Sequence, residues 1–364
     1  MYILAVESSC DETACAIVEM SESSRRILSN VVATQIATHA LYGGVVPEIA
    51  SRAHSEAITP VVREAVEKSG IELSQLDAIA VTFSPGLIGS LLVGVSFAKS
   101  LAYDLQLPLI PVDHIKAHTA AAYFVDQELE APFLSLVVSG GHTSIYDVSC
   151  PHVFEEIGST RDDAAGEAFD KVGRVMGLTY PGGAAMDRLA TEGFEMIENG
   201  AEKIKFPSPA IPDETLDYSF SGLKTACINY LHNYRQKNEL GDKDELPHSE
   251  KCLVAASFTE AVVGGICLKL KAALEKTGAK TLVVAGGVAA NSHLRRAVAE
   301  VCEKAGVKLC VPPLSLCGDN GAMVGAQAYF EYKNGVRADC TLNAYASGEA
   351  AEAAAELMKF EKNN

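Results

Sequence analysis

The chain has 364 residues, 48% of them hydrophobic and 21% charged, with no tryptophan; that is enough apolar material for two lobes with cores of their own. A formal net charge of −17 repels phosphate backbones, which excludes a uniformly basic nucleic-acid binder and leaves any such contact to a local basic patch or a partner. Ten cysteines without a Cys-x-x-Cys pair exclude a zinc ribbon and a disulfide framework and point to reduced thiols in a cytoplasmic protein. The first residues show neither the basic region nor the cleavage site of a signal peptide, and apolar runs interrupted by Gly, Lys or Asp predict no membrane association.

Residues 2–7 read as a strand, 8–13 as a polar turn carrying Asp11 and Glu12, and 14–20 as a second strand. The same unit returns about 130 residues later: strand 133–138, turn 139–143, strand 144–148, which implies two similar lobes rather than a solenoid. In the second turn Gly140 and Gly141 let backbone N–H groups come close to an anion, although a buried hairpin with a glycine-rich turn explains the same residues.

Between the two hairpins, 43–48 is a loop leading into a helix from Ile49 that bears Arg52, His54 and Glu56. Residues 77–83 form a buried strand, 84–89 a turn, and small residues continue as a helix to about Leu105. The strand 107–112 runs into Asp113-His114-Ile115-Lys116-Ala117-His118, and 117–124 reads as helical. His114 and His118 then share one helix face. Two imidazoles so spaced suit zinc and iron alike. Ile115 stands where a zinc protease would carry its general base, which argues against that enzyme class. The other reading is two ordinary helix histidines, one exposed and one half-buried.

Farther on, the carboxylates at 163, 167 and 170 recur at helical spacing and read as a solvated helix face. Tyr180-Pro181-Gly182-Gly183 opens a helix bearing Asp187, and 219–224 is a polar turn into another. Residues 233–250 are charged and weakly patterned and read as a mobile loop. Strand 281–285 ends at Gly286-Gly287, with a helix beginning near Ser292; the turn has neither G-x-G-x-x-G spacing nor a Walker lysine. Residues 316–321 lead into an apolar helix to about Phe330, for which Asp319 is an N-cap candidate. Beyond 331 the pattern fades, with 350–357 a separate helix or a frayed tail. Strands alternating with helices predict an α/β fold with parallel pairing.

The duplicated hairpins and the strand–Gly-Gly–helix turn resemble the actin/Hsp70/sugar-kinase superfamily. More narrowly, the motifs at 7–13, 43–48, 85–87, 114–118, 139–143, 163–171, 219–224, 286–291 and 318–320 resemble the TsaD family of tRNA threonylcarbamoyltransferases, a match covering residues 3 to about 330. The resemblance implies a two-lobed α/β fold with duplicated βββαβα lobes, 1–125 and 126–330, a nucleotide site in a central cleft, and a tail at 331–364. It implies transfer of a threonylcarbamoyl group from threonylcarbamoyl-adenylate to N6 of the adenosine 3′ of the anticodon in tRNAs reading A-starting codons, with release of AMP. One divalent metal ion, Fe(2+) or Zn(2+), would be held by His114, His118 and Asp319. Val137, Val138, Ser139, Gly140 and Gly141 would receive the substrate. Asp170, Gly183, Asp187 and Asn291 would bind its adenosine part, with Glu12 and Asp11 as catalytic carboxylates. The implied partners are tRNA, a TsaB-type paralogue and a TsaE-type ATPase. A kinase or ATPase of the same superfamily is the rival reading, because fold does not fix function; a non-catalytic scaffold would not need the His, His, Asp set.

Overall fold

The computed structural model describes residues 1–241 and 244–351. Its contacts group the chain into two compact units. One comprises Met1–Glu130, Cys150–Val153 and everything from Pro312 onward; the other comprises Ala131–Ser149 and Phe154–Val311. The division is discontinuous, so it differs from a simple cut at 125 and 330 in where the last helix falls.

The first unit opens with β1 (Tyr2–Glu7), β2 (Glu12–Met20) and β3 (Arg25–Thr34), followed by α1 (Ile36–Ala40), α2 (Pro47–Ser69), β4 (Ala78–Ser84), α3 (Ile88–Leu105), β5 (Leu109–Asp113) and α4 (His114–Ala120). The sheet order is β3-β2-β1-β4-β5. β1 pairs antiparallel with β2 and parallel with β4, which pairs parallel with β5. Ile3, Leu4, Ala5 and Val6 are all fully buried, the continuous apolar run expected of a strand covered on both faces.

The second unit contains β6 (Phe133–Val138), β7 (Thr143–Cys150), β8 (Val153–Ser159), α5 (Ala165–Val175), α6 (Gly182–Glu198), α7 (Ser221–Lys237), α8 (His248–Thr277), β9 (Thr281–Ala285), α9 (Ser292–Ala305) and β10 (Lys308–Cys310). Its sheet order, β10-β9-β6-β7-β8, repeats the first: a central strand with antiparallel neighbours on one side and parallel neighbours on the other. The predicted duplication is present in both sheets.

The chain then returns to the first unit as α10 (Gly321–Lys333), which packs against β1, β2 and α4. The approach is close: a Cβ on Gly321 would lie 2.4 Å from the Ala16 backbone nitrogen. The segment following α10 is docked on the first sheet, with the Ala338 N–H donating to the Leu109 carbonyl (2.8 Å) and the Tyr345 N–H to the Phe83 carbonyl (2.9 Å).

Several expected boundaries shift. Glu12 and Thr13 belong to β2 and not to the turn before it, because Glu12 pairs with Thr34 and Thr13 with Ala33 across to β3. The expected loop at 233–250 is shorter: α7 continues to Lys237 and α8 starts at His248, charged residues being good helix formers on an exposed face. α2 starts at Pro47, not Ile49, using proline at the first helical turn. Of the stretch 350–357, expected as a separate helix or a frayed tail, 350–351 end a short helical run from 348, and the remainder lies outside the described residues. Two helices, α3 and α8, do meet the length and hydropathy of a membrane span, against the expectation from broken runs; 72% of the α8 window is buried inside the fold, as in a core helix.

These contacts separate two glycines on buried helices. Gly321→Ala forces a methyl group into the β2 backbone and should lower the denaturant midpoint by the equivalent of about 1–3 kcal/mol. Gly264→Ala on α8, where a Cβ would meet nothing within 4 Å, should leave stability unchanged or raise it by up to about 1 kcal/mol. Guanidinium denaturation followed by circular dichroism compares the two.

Candidate active site

The site in the first unit begins with the strand β5. Its last residue, Asp113, caps α4, accepting from the backbone N–H groups of Ile115 (2.8 Å) and Lys116 (3.0 Å), so the helix starts at His114. His114 and His118 lie one turn apart with ring centroids 4.6 Å apart. Both are buried, unlike the exposed and half-buried pair of the bland alternative. α10 supplies the third group. Asn320, not Asp319, is the N-cap of α10, its side chain accepting from Met323 N–H at 3.0 Å. Asp319 is therefore not used as the cap and turns to the histidines: its Oδ1 lies 3.2 Å from His118 Nε2 and 3.6 Å from His114 Nε2.

These three residues are a set that could hold a metal ion, their donor atoms all within 4.8 Å of one another. Metal–ligand bonds of about 2.0–2.2 Å require donors roughly 3–3.5 Å apart, close to what is seen. His118 adds an independent sign. It is 1% exposed; its Nε2 faces the Asp319 carboxylate at 3.2 Å without hydrogen-bond geometry, and its Nδ1 has no hydrogen-bond partner among the described residues. A buried polar atom left so costs free energy unless something binds it, and a cation at Nε2 fits.

Behind the histidines stands Glu7, the charged end of an apolar strand and fully buried. Its Oε2 accepts from Thr82 Oγ1 (2.6 Å) and faces His114 Nδ1 (3.2 Å), while Oε1 accepts from Ser9 N–H (2.5 Å). Ser9 Oγ is 3.1 Å from the same ring nitrogen. A carboxylate on Nδ1 fixes the imidazole with Nε2 aimed outward, the arrangement that supports metal-ligating histidines. Burial opposes the charge on each partner. Asp319 and Glu7 outweigh that on His114 and push it up to about 9, while His114 holds Glu7 below the usual carboxylate range. Sequence reasoning quoted Glu7 within a motif without giving it a role; the signal was a carboxylate closing a run of buried aliphatic residues.

Asp11 and Glu12 sit on the adjoining hairpin. Asp11 is buried and Glu12 accepts from Thr34 Oγ1 at 3.1 Å. Burial, with Asp319 and then Asp11, pushes Glu12 up to about 9. The hairpin is held from below by His54 of α2, which donates through Nε2 to the Cys10 carbonyl (2.9 Å) and accepts at Nδ1 from Thr13 Oγ1 (2.7 Å). Burial keeps this imidazole below its usual range.

In the second unit, parallel pairing of β6 with β9 places two glycine-bearing turns at one sheet end. Val137 and Val138 complete β6; Ser139 closes the following turn, its N–H donating to the His142 carbonyl (2.7 Å) and its Oγ accepting from His142 N–H (3.0 Å). Around Gly140 and Gly141 a Cβ would meet nothing within 4 Å. Gly286, at φ 91°, approaches so closely that a Cβ would lie 2.4 Å from the Val138 carbonyl oxygen. Ligands of parallel sheets bind at such strand ends.

The residues expected around adenosine are partly engaged with the protein itself. Asp170 accepts from Gly182 N–H at 2.7 Å, tying α5 to the start of α6, where Gly183 is open on its Cα. Asp187 accepts from Ser292 N–H (3.1 Å) and Oγ (3.0 Å), and Asn291 caps α9 through His293 and Leu294 N–H. Asp187 and Asn291 are thus brought side by side. The carboxylates at 163, 167 and 170 do not form one solvated face. Asp163 precedes α5 and is clamped by Lys224 and Lys171 (2.9 Å to the latter), and Asp162 binds the 219–221 turn. Glu167, paired with Lys171, has the more exposed side chain, 44% against 15% for Asp163.

Two α/β units with one repeated sheet order have a fold of the actin/Hsp70/sugar-kinase type, and one of them carries the His, His, Asp set. Solved structures of that type align with it: full-length HypF in its phosphate- and nucleotide-bound form (TM-score 0.59, 15% identity, 92% of this chain and 46% of that one), and the activator of the 2-hydroxyisocaproyl-CoA dehydratase from Clostridium difficile with bound ADPNP (TM-score 0.50, 13% identity, 92% and 97%). The family model of the tRNA N6-adenosine threonylcarbamoyltransferases, TsaD, matches residues 26–326, and the chain belongs to that family. Proteins bearing that name are 49% identical in Clostridium perfringens (94% of this chain, 96% of that protein) and 46% identical in Clostridioides difficile, with the same coverage.

The Glu7–His114 ion pair sets a pH dependence for any metal binding at this set. In the metal-free chain His114 keeps its proton until pH rises through about 9; its contribution to stability is complete below the unfolded value near 6.5 and lost through that rise. A cation must displace that proton, so Zn(II) affinity should climb by up to about tenfold per pH unit between pH 6 and 8. Chelator competition, with buffers of different ionisation enthalpy to read proton release, measures it. A flat affinity across that range would show that His114 is already neutral.

Proposed function

We propose that this enzyme of the tRNA N6-adenosine threonylcarbamoyltransferase family takes the threonylcarbamoyl group from threonylcarbamoyl-adenylate and places it on N6 of the adenosine 3′ of the anticodon in tRNAs reading A-starting codons. The N6–carbon bond forms as the carbon–phosphate-oxygen bond breaks; AMP leaves with the bonding electrons, and the N6 proton passes to a carboxylate. The observation that carries the reading beyond family membership is the buried His118 imidazole, which faces the Asp319 carboxylate at 3.2 Å one helical turn from His114.

His114, His118 and Asp319 would hold one divalent ion, Fe(2+) or Zn(2+), which supplies Lewis acidity toward the carbonyl under attack. Glu7 keeps the His114 ring oriented. The turn Val137–Gly141 offers backbone N–H groups to the acyl-phosphate end, and its glycines keep side chains out of the way. Asp170, Gly183, Asp187 and Asn291 hold the adenosine part. Asp11 and Glu12 are the carboxyl groups that move protons. An exocyclic amine is a weak nucleophile, so holding the two substrates in register is the larger contribution, on the order of 7–11 kcal/mol at best. The reaction takes place in the cytoplasm with a TsaB-type paralogue and a TsaE-type ATPase; the family resemblance supports both, and the net charge of −17 favours a partner that lends tRNA affinity.

Two mutant classes test these roles. With preformed threonylcarbamoyl-adenylate, tRNA and the partner proteins, and nucleosides read by mass spectrometry, Asp187→Ala should raise the adenylate concentration needed, losing hydrogen bonds worth about 1.5–3 kcal/mol each. His118→Ala should lower the rate at saturating adenylate. Rescue of His118→Ala, but not Asp187→Ala, by excess adenylate would reverse the assignment. The isolated chain should also bind tRNA weakly, more weakly still as salt rises, with a partner raising affinity; submicromolar binding by the chain alone at physiological salt contradicts this.

A further inference from the structure

A second group of metal-type donors lies entirely in the second unit. Helix α8 opens with His248, and Cys252 follows one turn later on the same face; Glu192 reaches them from α6. His248 Nε2 is 2.7 Å from Glu192 Oε2, and Cys252 Sγ is 3.5 Å from His248 Nε2 and 3.7 Å from Glu192 Oε2. The donor atoms all lie within 4.8 Å of one another.

The distances match what a cation of borderline softness needs. Tetrahedral zinc, with Zn–S of about 2.3 Å and Zn–N or Zn–O near 2.0–2.1 Å, sets sulfur roughly 3.5 Å from each of the other donors. Both sulfur edges are already there. Only the nitrogen–oxygen edge must open, by about 0.7 Å, and it joins the two residues free to adjust, His248 and Glu192 with side chains 68% and 55% exposed. Cys252 is the fixed ligand: fully buried, on a stretch where α6 and α8 meet backbone to backbone. A Cβ on Gly193, next to Glu192, would lie 2.0 Å from the Cys252 carbonyl oxygen, so the two backbones are in direct contact beside the ligands. The thiol is buried and touches the other two ligands, which open to solvent.

We propose that Glu192, His248 and Cys252 form a second metal site, separate from His114, His118 and Asp319, which takes zinc or a cation of similar softness with solvent completing the fourth position. A thiolate, an imidazole and a carboxylate favour such ions over magnesium or calcium, which take oxygen donors. The site clips the start of α8 to α6. It is independent of the reaction assigned to the protein.

Cobalt(II) separates the two sites, because only this one offers sulfur, and a thiolate–cobalt charge-transfer band in the near ultraviolet reports it. The full-length reduced chain should develop that band with about one equivalent of sulfur-ligated ion, in keeping with one cysteine donor. Cys252→Ser should abolish it, His248→Asn and Glu192→Gln should each weaken binding at least tenfold, and His118→Ala should leave it intact. Zn(II) added to the cobalt-loaded unmutated chain should displace the cobalt and remove the band, a readout that does not depend on any variant folding. No band at saturating cobalt, a band that survives Cys252→Ser, or a band that excess Zn(II) leaves intact would each overturn the proposal.

Discussion

A buried carboxylate is the constraint on which the first unit depends. Glu7 has no exposure, and an ionised carboxylate out of water costs several kcal/mol unless partners surround it. Its partners come from three separate segments: Ser9 from the turn after β1, Thr82 from β4 and His114 from the start of α4. Only the parallel pairing of β1 with β4 and of β4 with β5 brings those strand ends together. Satisfying one charge therefore fixes the sheet register and orients the first metal-type imidazole in a single arrangement.

The neighbouring pair Asp319 and Asn320 shows how adjacent residues divide two jobs. An amide suffices to accept a helix N–H, and Asn320 does so. A carboxylate is needed opposite two imidazoles, and Asp319 is there. The negative group also stands beside the N-terminus of α10, where the aligned peptide dipoles favour an anion. Asn30 of β3 adds acceptors for Gly321 and Ala322 N–H (3.2 and 3.3 Å), so the end of the helix is satisfied without Asp319.

Much of this was legible in the residues. Hydrophobic runs located the strands, with 281–285 found to the residue, and the i, i+4 histidines located the face of α4, because both are local periodicities. The cap of α10 was misplaced by one residue, since Asp and Asn serve equally there and only tertiary contacts choose between them. The carboxylates around 163–170 looked like a solvent face because their lysine and backbone partners at 171, 182 and 224 are settled by packing. The role of Asp187 in holding α6 to the start of α9 was equally hidden; a spacing of 105 residues leaves no pattern in sequence. The grouping of α10 with the first sheet is of the same kind, a long-range contact that no window of residues reports.

That last grouping has a consequence for how the protein is made. The second unit is an insertion: its residues, nearly all of 131–311, leave the ribosome after β1–β5 and before α10. During synthesis the first sheet waits with one face uncovered and Glu7, His114 and His118 in place but Asp319 still unmade, while the inserted unit, contiguous in sequence, can complete its own core. The first unit closes only when the last tenth or so of the chain arrives. Nascent or truncated chains thus carry the two histidines without the carboxylate that faces them at 3.2 and 3.6 Å in the complete fold.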